Sequence, residues 1–395
     1  MKNESVAILD VRSYETTFFV GSKGVNEHFV FMSRNTQSYE GFSSDGFFDA
    51  DSYRRAVVAS VASVRQNHEG KIDKVYVGVP ASFVEVVTHG HTISFPKKRK
   101  ISKVDVDALY ESGLSEIMKE GRCIRRSNMY FSLEDSHKYF AASDVYGVPT
   151  TLLKGALCYY FIDENFYQLT MSVLNDLGIT QITFFPSTLA QSLYLLPEKR
   201  REGYAFLLDV GFLTTSISVV YGNGIVHEES FDYGHGALIV ALMQKLDVDY
   251  QTAEEILSTA NVSGGNVSKS LTWTSEDGEN SFSVQEINDI IKCGLDVLCE
   301  NVENFFAKHY KNKNMPALAV NPISVTGEGC GIVTGAIEHI ESRLNRLAEI
   351  ITPDLPYYDK PVWSSRVALL NMAINDCKKQ SWIQRLFNKF GGKKL

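Results

Sequence analysis

The chain has 395 residues, of which 44% are hydrophobic and 22% charged. This composition is typical of a globular protein with two to four lobes and argues against a disordered chain. Its net charge is −8, yet the segment from Lys378 to Leu395 has six basic residues and no acidic one. The other residues of the chain therefore carry a net charge of −14, which is −8 minus 6. An acidic body argues against nucleic acid as the main partner, whereas a basic end favours an anionic surface.

Several other classes of protein are also disfavoured. No uncharged apolar run reaches the roughly 18 residues of a membrane-spanning helix, and Met1–Glu4 leads straight into a strand pattern, so we expect neither a span nor a secretion signal. The six cysteines show no CxxC spacing, which favours a reducing cytoplasm over a disulfide framework. His89 and His91 share one side of a predicted strand without a further ligand nearby in sequence, and we assign them no metal.

The first half of the chain alternates strand and helix patterns. A hairpin, a helix and a strand are predicted at Val6–Asp10, Thr16–Val20, Asp51–His68 and Lys74–Val79. A different pattern follows Pro80, with strands and one amphipathic helix at Phe83–Phe95, Val104–Met118, Asn128–Leu133 and Lys138–Ala142. The first pattern then resumes at Ala156–Phe161, Asn165–Leu177, Gln181–Phe185 and Pro186–Tyr194. The middle stretch is therefore predicted to be an inserted α/β module.

The second half repeats the start of the first. Leu208-Asp209 ends a strand and precedes a hydroxyl-rich turn and a further hairpin, as Leu9-Asp10 does, which indicates an internal duplication of about 200 residues. A second insertion follows, with a helix, a polar hairpin and a long helix at Thr252–Ser258, Ser270–Val284 and Gln285–Tyr310. The core pattern returns as a strand at Ala317–Val325 and a helix at Ile332–Leu344.

Turns of this kind are suited to a nucleoside triphosphate. Backbone N–H groups and hydroxyls of a tight turn contact phosphate oxygens, and the strand-end Asp holds Mg²⁺ or its water. Two such turns, after Asp10 and after Asp209, would clamp one nucleotide between them. Thr326-Gly327-Glu328-Gly329 adds a third approach, because glycine lets the backbone come close to a ligand.

With these motifs in this order, the chain resembles the bacterial division protein FtsA family of the actin, hexokinase and heat-shock ATPase superfamily. The resemblance rests on five motifs and the basic tail; the motifs are Val77–Ser82, Asp209–Thr215, Tyr233–Gly236, Thr252–Ile256 and Thr326–Gly329. It implies an α/β fold of duplicated actin-like lobes, an inserted small α/β module and a C-terminal amphipathic helix. The implied domains are 1–82 with 165–203, the module 83–164, 204–246 with 311–374, the second-lobe insertion 247–310, and a tether with membrane helix at 375–395.

The resemblance also implies a site for ATP with Mg²⁺, the metal being bound only with the nucleotide. The implied nucleotide-binding residues are Asp10, Ser13, Asp209, Gly211, Thr214, Thr215, Gly234, Gly236, Glu254, Gly327 and Gly329. Several departures from the family pattern weaken this expectation. Glu15 replaces a lysine and would repel a triphosphate. The other departures are Arg12, Phe212-Leu213 and Glu328 in place of glycines, Tyr14 in place of a threonine, Ser216 in place of an aspartate and Leu257 in place of a lysine. Two interpretations stay open, a weak ATP site and a degenerate site kept for packing, and any ATPase activity is at most weak.

The tail has the spacing of a membrane-surface helix. Apolar residues recur on one predicted helix face and basic residues lie off it, a pattern that binds anionic lipid with roughly 1 kcal/mol per basic residue. The predicted membrane-binding residues are Trp382, Ile383, Arg385, Leu386, Phe387, Lys389 and Phe390. Residues 375–381 are predicted to be a polar tether. The alternative is a helix packed on the body or on a partner protein.

The resemblance implies a membrane tether of the bacterial division ring. Such a protein lies on the cytoplasmic face of the membrane at the septum, polymerises with itself, binds the C-terminal peptide of FtsZ on the second-lobe insertion and recruits other division proteins through the module. One alternative is a PilM-like scaffold of a pilus or secretion assembly. Another is a phosphotransferase of the same superfamily, which the altered phosphate loops disfavour; no catalytic residue is assigned.

Overall fold

Two five-stranded sheets with the same strand order organise the chain. The computed structural model describes residues 5–24, 28–117, 119–264, 270–275, 278–310 and 320–390, without the side chains of 271–280 and 379–390. In each sheet a central strand pairs antiparallel with the strand that follows it and parallel with a later one. The predicted α/β class and the duplication of the lobes are therefore confirmed.

The first lobe is built on the sheet order β11-β6-β1-β2-β3. Its strands and helices are β1 (Val6–Val11), β2 (Glu15–Lys23), β3 (Phe29–Ser38), the short pair β4 (Phe42–Ser43) and β5 (Gly46–Phe47), α1 (Ala50–Asn67), β6 (Lys74–Val79), α4 (Glu164–Asp176), β11 (Gln181–Pro186) and α5 (Ser187–Leu195). Every residue of β1 is buried, as expected for a mainly apolar strand covered on both faces. Strand β3 was not predicted from the sequence.

The inserted module interrupts the first lobe after β6. It consists of β7 (Val84–Lys100), α2 (Lys103–Ser115), β8 (Arg122–Ser132), β9 (Lys138–Tyr139), α3 (Ala142–Val145) and β10 (Pro149–Ile162). Its strands form a separate four-stranded sheet in the order β7-β10-β8-β9, and α2 packs on that sheet over its own apolar core. The module therefore has the α/β character that the sequence predicts.

The second lobe is built on the sheet order β14-β13-β12-β17-β18. Its elements are α6 (Glu198–Arg201), β12 (Ala205–Val210), β13 (Thr215–Tyr221), β14 (Gly224–Phe231), α7 (Gly236–Leu246), α8 (Tyr250–Thr259), β15 (Ser270–Ser275), β16 (Gly278–Ser283), α9 (Val284–Tyr310), β17 (Ile323–Thr326), α10 (Ala336–Leu344) and β18 (Ala348–Ile350). Asp10 pairs with Thr17 in the first sheet, and Asp209 pairs with Ser216 in the second, so the two carboxylates occupy equivalent places.

A long C-terminal helix, α11 (Ser364–Phe390), connects the lobes and continues toward the basic end. Ser364 bonds Thr326 of the second lobe at 2.7 Å between hydroxyl oxygens, and the following turns are buried against the first-lobe sheet, with Leu369 beside Gly78 and Leu370 beside Gly21. The structure thus differs from the predicted boundaries, which gave 311–374 to the second lobe and made 375–381 a tether. No helix in the described part of the chain is long and apolar enough to cross a bilayer.

Candidate functional site: a cleft closed by its own ion pairs

Three turns from the two lobes meet where their central strands end. They are loop 1 (12–14, between β1 and β2), loop 2 (211–214, between β12 and β13) and the glycine turn (327–329, after β17). Ligands of open α/β sheets bind beyond the carboxyl ends of the strands, which is where these turns lie. The structure therefore brings together most of the residues for which the sequence predicts nucleotide binding.

Arg12 of loop 1 forms a two-pronged ion pair with Asp209 of the second lobe. Its Nη1 donates to Oδ2 at 2.6 Å and its Nη2 to Oδ1 at 2.8 Å, so the planar guanidinium matches both carboxylate oxygens. The Nε2 of Gln191 on α5 donates to the same carboxylate at 3.0 Å. Both charged side chains are largely buried, with 14% of Arg12 and 6% of Asp209 exposed. The positive charge of Arg12 thus neutralises the carboxylate that would otherwise hold Mg²⁺.

The ionisation of the two strand-end carboxyls differs because their partners differ. Burial would raise the pKa of Asp209, but the charge and hydrogen bonds of Arg12 outweigh it and hold that pKa below its ordinary value. Burial also raises the pKa of Asp10, and there the charges of Arg12 and Arg366 and a bond from Ser365 only partly offset it. The partners of Asp209 therefore favour its ionised form more strongly than the partners of Asp10 favour the ionised form of Asp10.

Glu328 occupies the position where loop 2 would present its backbone N–H groups to phosphate. The Phe212 amide donates to Glu328 Oε1 at 2.8 Å, and the Leu213 amide donates to the hydroxyl of Ser13 at 3.1 Å. The ring of Phe212 lies against that of Tyr14, with centroids 4.2 Å apart. Burial raises the pKa of the Glu328 carboxyl, partly opposed by the positive charge of Arg12. The anion-binding donors of loop 2 are therefore used by the chain itself.

The first turns of α11 complete the cleft. Arg366 pairs with Glu15, and its Nε lies 3.8 Å from Asp10 Oδ2. The hydroxyl of Ser365 donates to Asp10 Oδ1 at 2.8 Å. The charge of Glu15, for which the sequence predicts repulsion of a triphosphate, is therefore paired with Arg366, 351 positions later in the chain.

Several glycines are required by close backbone approach. Gly327 has φ +101°, and a Cβ there would overlap the Asp209 carboxylate. Gly234 lies so close to the Phe212 carbonyl that a side chain would collide with it. The amide of Gly236 donates to that carbonyl at 2.9 Å, and the amide of Gly329 donates to Val210 at 2.8 Å. These glycines hold the turns against one another.

The other predicted residues lie at varying distances from this centre. Thr214 lines the cleft and accepts a bond from the Gly211 amide at 3.0 Å. The Thr215 hydroxyl faces away and donates to the Tyr233 carbonyl at 2.6 Å. Glu254 is exposed on α8, near enough to His235 to oppose the lowering of its pKa by burial. The predicted membrane-binding side chains lie outside the described residues, although the backbone of α11 is helical as far as Phe390.

Comparison with known proteins identifies the fold. No protein-family model and no curated protein sequence matches the chain. Among solved structures, the PilM-PilN type IV pilus biogenesis complex is similar at a TM-score of 0.58, 11% identity, and coverage of 93% of this chain and 98% of that one. The chain has an actin-like fold.

Two further structures agree with this assignment. MreB 5 of Spiroplasma citri bound to AMPPNP is similar at a TM-score of 0.57 and 9% identity, covering 97% of this chain and all of that one. The ethanolamine utilization protein EutJ from Carboxydothermus hydrogenoformans is similar at 0.52 and 12% identity, covering 94% of this chain and 90% of that one. Identities this low establish the shared fold alone.

ATP with Mg²⁺ does not fit the cleft in its closed form. The cavities beside Asp10 and Asp209 measure about 10 and 30 Å³, whereas one water needs about 10–15 Å³. The guanidinium of Arg12 is bonded where a metal would be held, and Glu328 is bonded where a phosphate would be held. A triphosphate could enter only if both of these contacts broke.

Sequence reasoning missed the residues that close the cleft. Arg12 and Glu328 were recognised as departures from a pattern but not as partners of Asp209 and loop 2, and Arg366 was not recognised at all. A signal was available for the first two, because a cation and an anion had replaced glycines in facing turns. Arg366 gave no such signal, because its partner Glu15 is 351 positions earlier in the chain and no local pattern links the two residues.

Glu228 is a buried carboxyl on the second-lobe side of the same cleft. Both of its oxygens are shielded from solvent. Burial raises its pKa to about 7, and the Thr188 hydroxyl, which lies beside it without a well-formed hydrogen bond, offsets little of this. The pKa of Glu228 therefore lies close to neutral pH.

Replacing Glu228 with Gln is expected to remove a pH dependence of stability. Since the pKa is higher in the folded chain than its ordinary value of 4.5, the folded state retains a proton that the unfolded state has lost, and stability falls as pH rises from about 4.5 to about 7. The difference corresponds to about 3 kcal/mol. Denaturant unfolding of the variant from about pH 5 to pH 8 should show its largest gain over the natural chain at the alkaline end.

The neighbouring Glu229→Gln variant is the matched control. Burial would raise the pKa of Glu229, but Lys308 and His309 more than compensate and lower it. Glu229→Gln should therefore lower the stability of the chain at pH values above the ordinary pKa of 4.5. Parallel pH profiles for Glu228→Gln and the natural chain would contradict the assignment of a raised pKa to Glu228.

Proposed function

We propose that the chain is an actin-fold scaffold whose cleft is held closed by its own side chains instead of by a nucleotide. The Arg12–Asp209 pair carries this proposal, because it joins the two turns that would otherwise grip a nucleotide. Further bonds support the closed state: Ser44 donates to Asp232 at 2.7 Å, and the hydroxyls of Ser82 and Ser230 lie 2.9 Å apart. Such a scaffold has no need of ATP turnover to keep its lobes together.

We further propose that the basic C-terminal end attaches this scaffold to an anionic membrane. The six basic residues from Lys378 onward, on a body of opposite charge, support this. Helix α11 also supports it, since it is buried in the first lobe as far as Ile374 and its helical backbone continues through the segment with apolar helical spacing. Attachment at the surface needs no membrane-spanning helix.

The finer proposal is that the scaffold tethers the bacterial division ring. The FtsA-like motif order supports it, and so does the position of the inserted module after β6. An open groove of about 520 Å³ lies between α7 and the second-lobe insertion, large enough for part of a peptide such as the FtsZ C-terminus. It is lined by Lys245 of α7 and by Ser283, Gln285, Glu286, Asp289, Ile290 and Cys293 of the insertion. Self-association into filaments and recruitment of other division proteins by the module belong to the same proposal.

A pilus or secretion scaffold is the second candidate. The similarity to the PilM-PilN complex over nearly the whole of both chains favours it. The basic amphipathic end argues for the tether, because a scaffold recruited by a membrane partner has no need of its own attachment. The two candidates can be separated by adding FtsZ filaments to anionic vesicles that carry the full chain. Recruitment of the filaments to these vesicles supports the tether. If the filaments stay in solution, the tether is rejected.

The closed cleft predicts that the natural chain does not bind ATP with Mg²⁺, whereas Arg12→Gly/Glu328→Gly does. The double substitution restores two of the glycines of the family pattern, removes the cation from Asp209 and frees the Phe212 amide. Isothermal titration calorimetry with Mg·ATP on the full chain is the measurement. Glu328→Gly alone opens the anion position but leaves Asp209 paired with Arg12, so it should fold and still bind no ATP.

An exposed ion pair of the module offers the control. Arg126→Gly/Glu111→Gly removes the same charges far from the cleft and should leave the chain without ATP binding. Micromolar binding by the natural chain would reject the closed scaffold. A folded double variant of the cleft with no affinity for ATP would show that these two side chains are not what excludes the nucleotide.

A further inference from the structure

Two histidines and a glutamate converge on the inserted module, away from the cleft. His89 Nε2 lies 2.9 Å and His91 Nδ1 lies 3.0 Å from the same oxygen of Glu116, Oε2. All three candidate ligand atoms lie within 4.8 Å of one another. This third ligand is absent from the sequence prediction because Glu116 is 25 residues from His91 in the chain.

The fold holds this cluster in place. His89 and His91 alternate along β7 and point to the face covered by α2, and Glu116 follows the last turn of α2. Gly113 allows the close approach, since a Cβ at that position would lie only 3.2 Å from the Cβ of His91. The exposed fractions rise from 10% for His91 to 29% for His89 and 52% for Glu116, so the cluster is anchored at one end and open to solvent at the other.

The two His–Glu separations are close to those of a metal site. Ligands about 2.0–2.1 Å from a tetrahedral Zn²⁺ lie about 3.3 Å from each other, within a few tenths of an ångström of the His–Glu separations. Imidazole nitrogen with carboxylate oxygen suits zinc and neighbouring transition metals, while Mg²⁺ and Ca²⁺ prefer oxygen alone. Three protein ligands leave a position for water, as the solvent-exposed side of the cluster allows.

We propose that His89, His91 and Glu116 bind one divalent transition-metal ion, with Zn²⁺ as the best match. A bound ion would link the end of α2 to β7 and so fix the outer face of the module. The proposal is independent of the closed cleft and of membrane attachment, because none of its residues takes part in either.

The test is a titration of the full chain with Zn²⁺ alone by calorimetry, with Co²⁺ as the spectroscopic probe. One ion is expected to bind with a nitrogen- and oxygen-ligated Co²⁺ spectrum. Glu116→Gln and His91→Gln should each weaken this binding by at least about tenfold, since each removes one ligand of a three-ligand site. Glu116 is half exposed at a helix end, so its substitution should leave the fold unchanged, as circular dichroism can verify.

His137→Gln is the matched control. His137 is an exposed histidine of the same module, and its amide bonds Asp135 rather than any residue of the cluster. Unchanged binding in His137→Gln together with weakened binding in the cluster variants supports the site. Equal affinity and stoichiometry in the natural chain, Glu116→Gln and His91→Gln would overturn it, as would the absence of any bound Zn²⁺ in the natural chain.

Discussion

Replacing Arg12 with Met is expected to lower the free energy of unfolding by about 3–5 kcal/mol. Methionine retains most of the apolar length of the arginine but removes its charge, which leaves the Asp209 carboxylate buried with Gln191 as its remaining side-chain donor. An unpaired buried charge is costly, because neither water nor a counter-ion compensates it. Denaturant unfolding followed by circular dichroism measures the effect.

A double-mutant cycle separates the ion pair from the packing of its members. Asp209→Asn keeps the shape of that side chain, and Arg12→Met/Asp209→Asn should cost less than the sum of the single variants by about 1–3 kcal/mol. Arg126→Met, at an exposed pair with Glu111, should cost about 1 kcal/mol or less. Additive costs at positions 12 and 209 would mean that the two charges do not stabilise one another.

Replacing Phe387 with Glu is expected to reduce binding of the full chain to anionic vesicles about 100-fold. Burial of one phenylalanine at an interface contributes about 1.5–3 kcal/mol, and a new negative charge beside an anionic leaflet costs about 1 kcal/mol more. Each 1.4 kcal/mol is about tenfold in affinity. Co-sedimentation with vesicles of increasing anionic lipid content measures the change.

Asn388→Glu adds the same charge one residue further along, on the side of the predicted helix opposite the apolar face. It should therefore weaken binding only about fivefold, the equivalent of about 1 kcal/mol. Equal losses in the two variants would indicate attraction by charge alone. If the natural chain stays in the supernatant with anionic vesicles, membrane attachment is rejected.

The fold could be predicted from the sequence because its signals are local. Apolar runs, turn residues and the repeated Leu-Asp strand end predicted β1, β2, β12, β13 and the duplication, which the sheets confirm. Strand β3 was not predicted because only Phe29 is buried in it and because it ends in the polar run Arg34–Ser38 at a sheet edge. Helix α11 was divided in the prediction because its polar stretch interrupts the apolar pattern without breaking the helix.

The interactions of the candidate sites were harder to predict, because they depend on contacts through space. Residue type and spacing indicate Asp10, Asp209, Gly327 and Gly329, and the family resemblance implies the other glycines. The sequence does not identify which cation pairs with Asp209, because Arg12 and Asp209 are 197 residues apart in the chain and come together only where the two lobes meet. The same reason applies to Glu116, which completes the histidine cluster only because α2 folds back over β7.

Helix α11 has a mechanical consequence for a protein bound to a membrane. Its 27 residues span about 40 Å, and the buried first turns fix its axis relative to both lobes. Because the described backbone is helical from the buried turns as far as Phe390, the proposed membrane contact would hold the body at a fixed angle. Neighbouring copies on one bilayer would share a single tilt, so the membrane itself would align them before any filament contact forms.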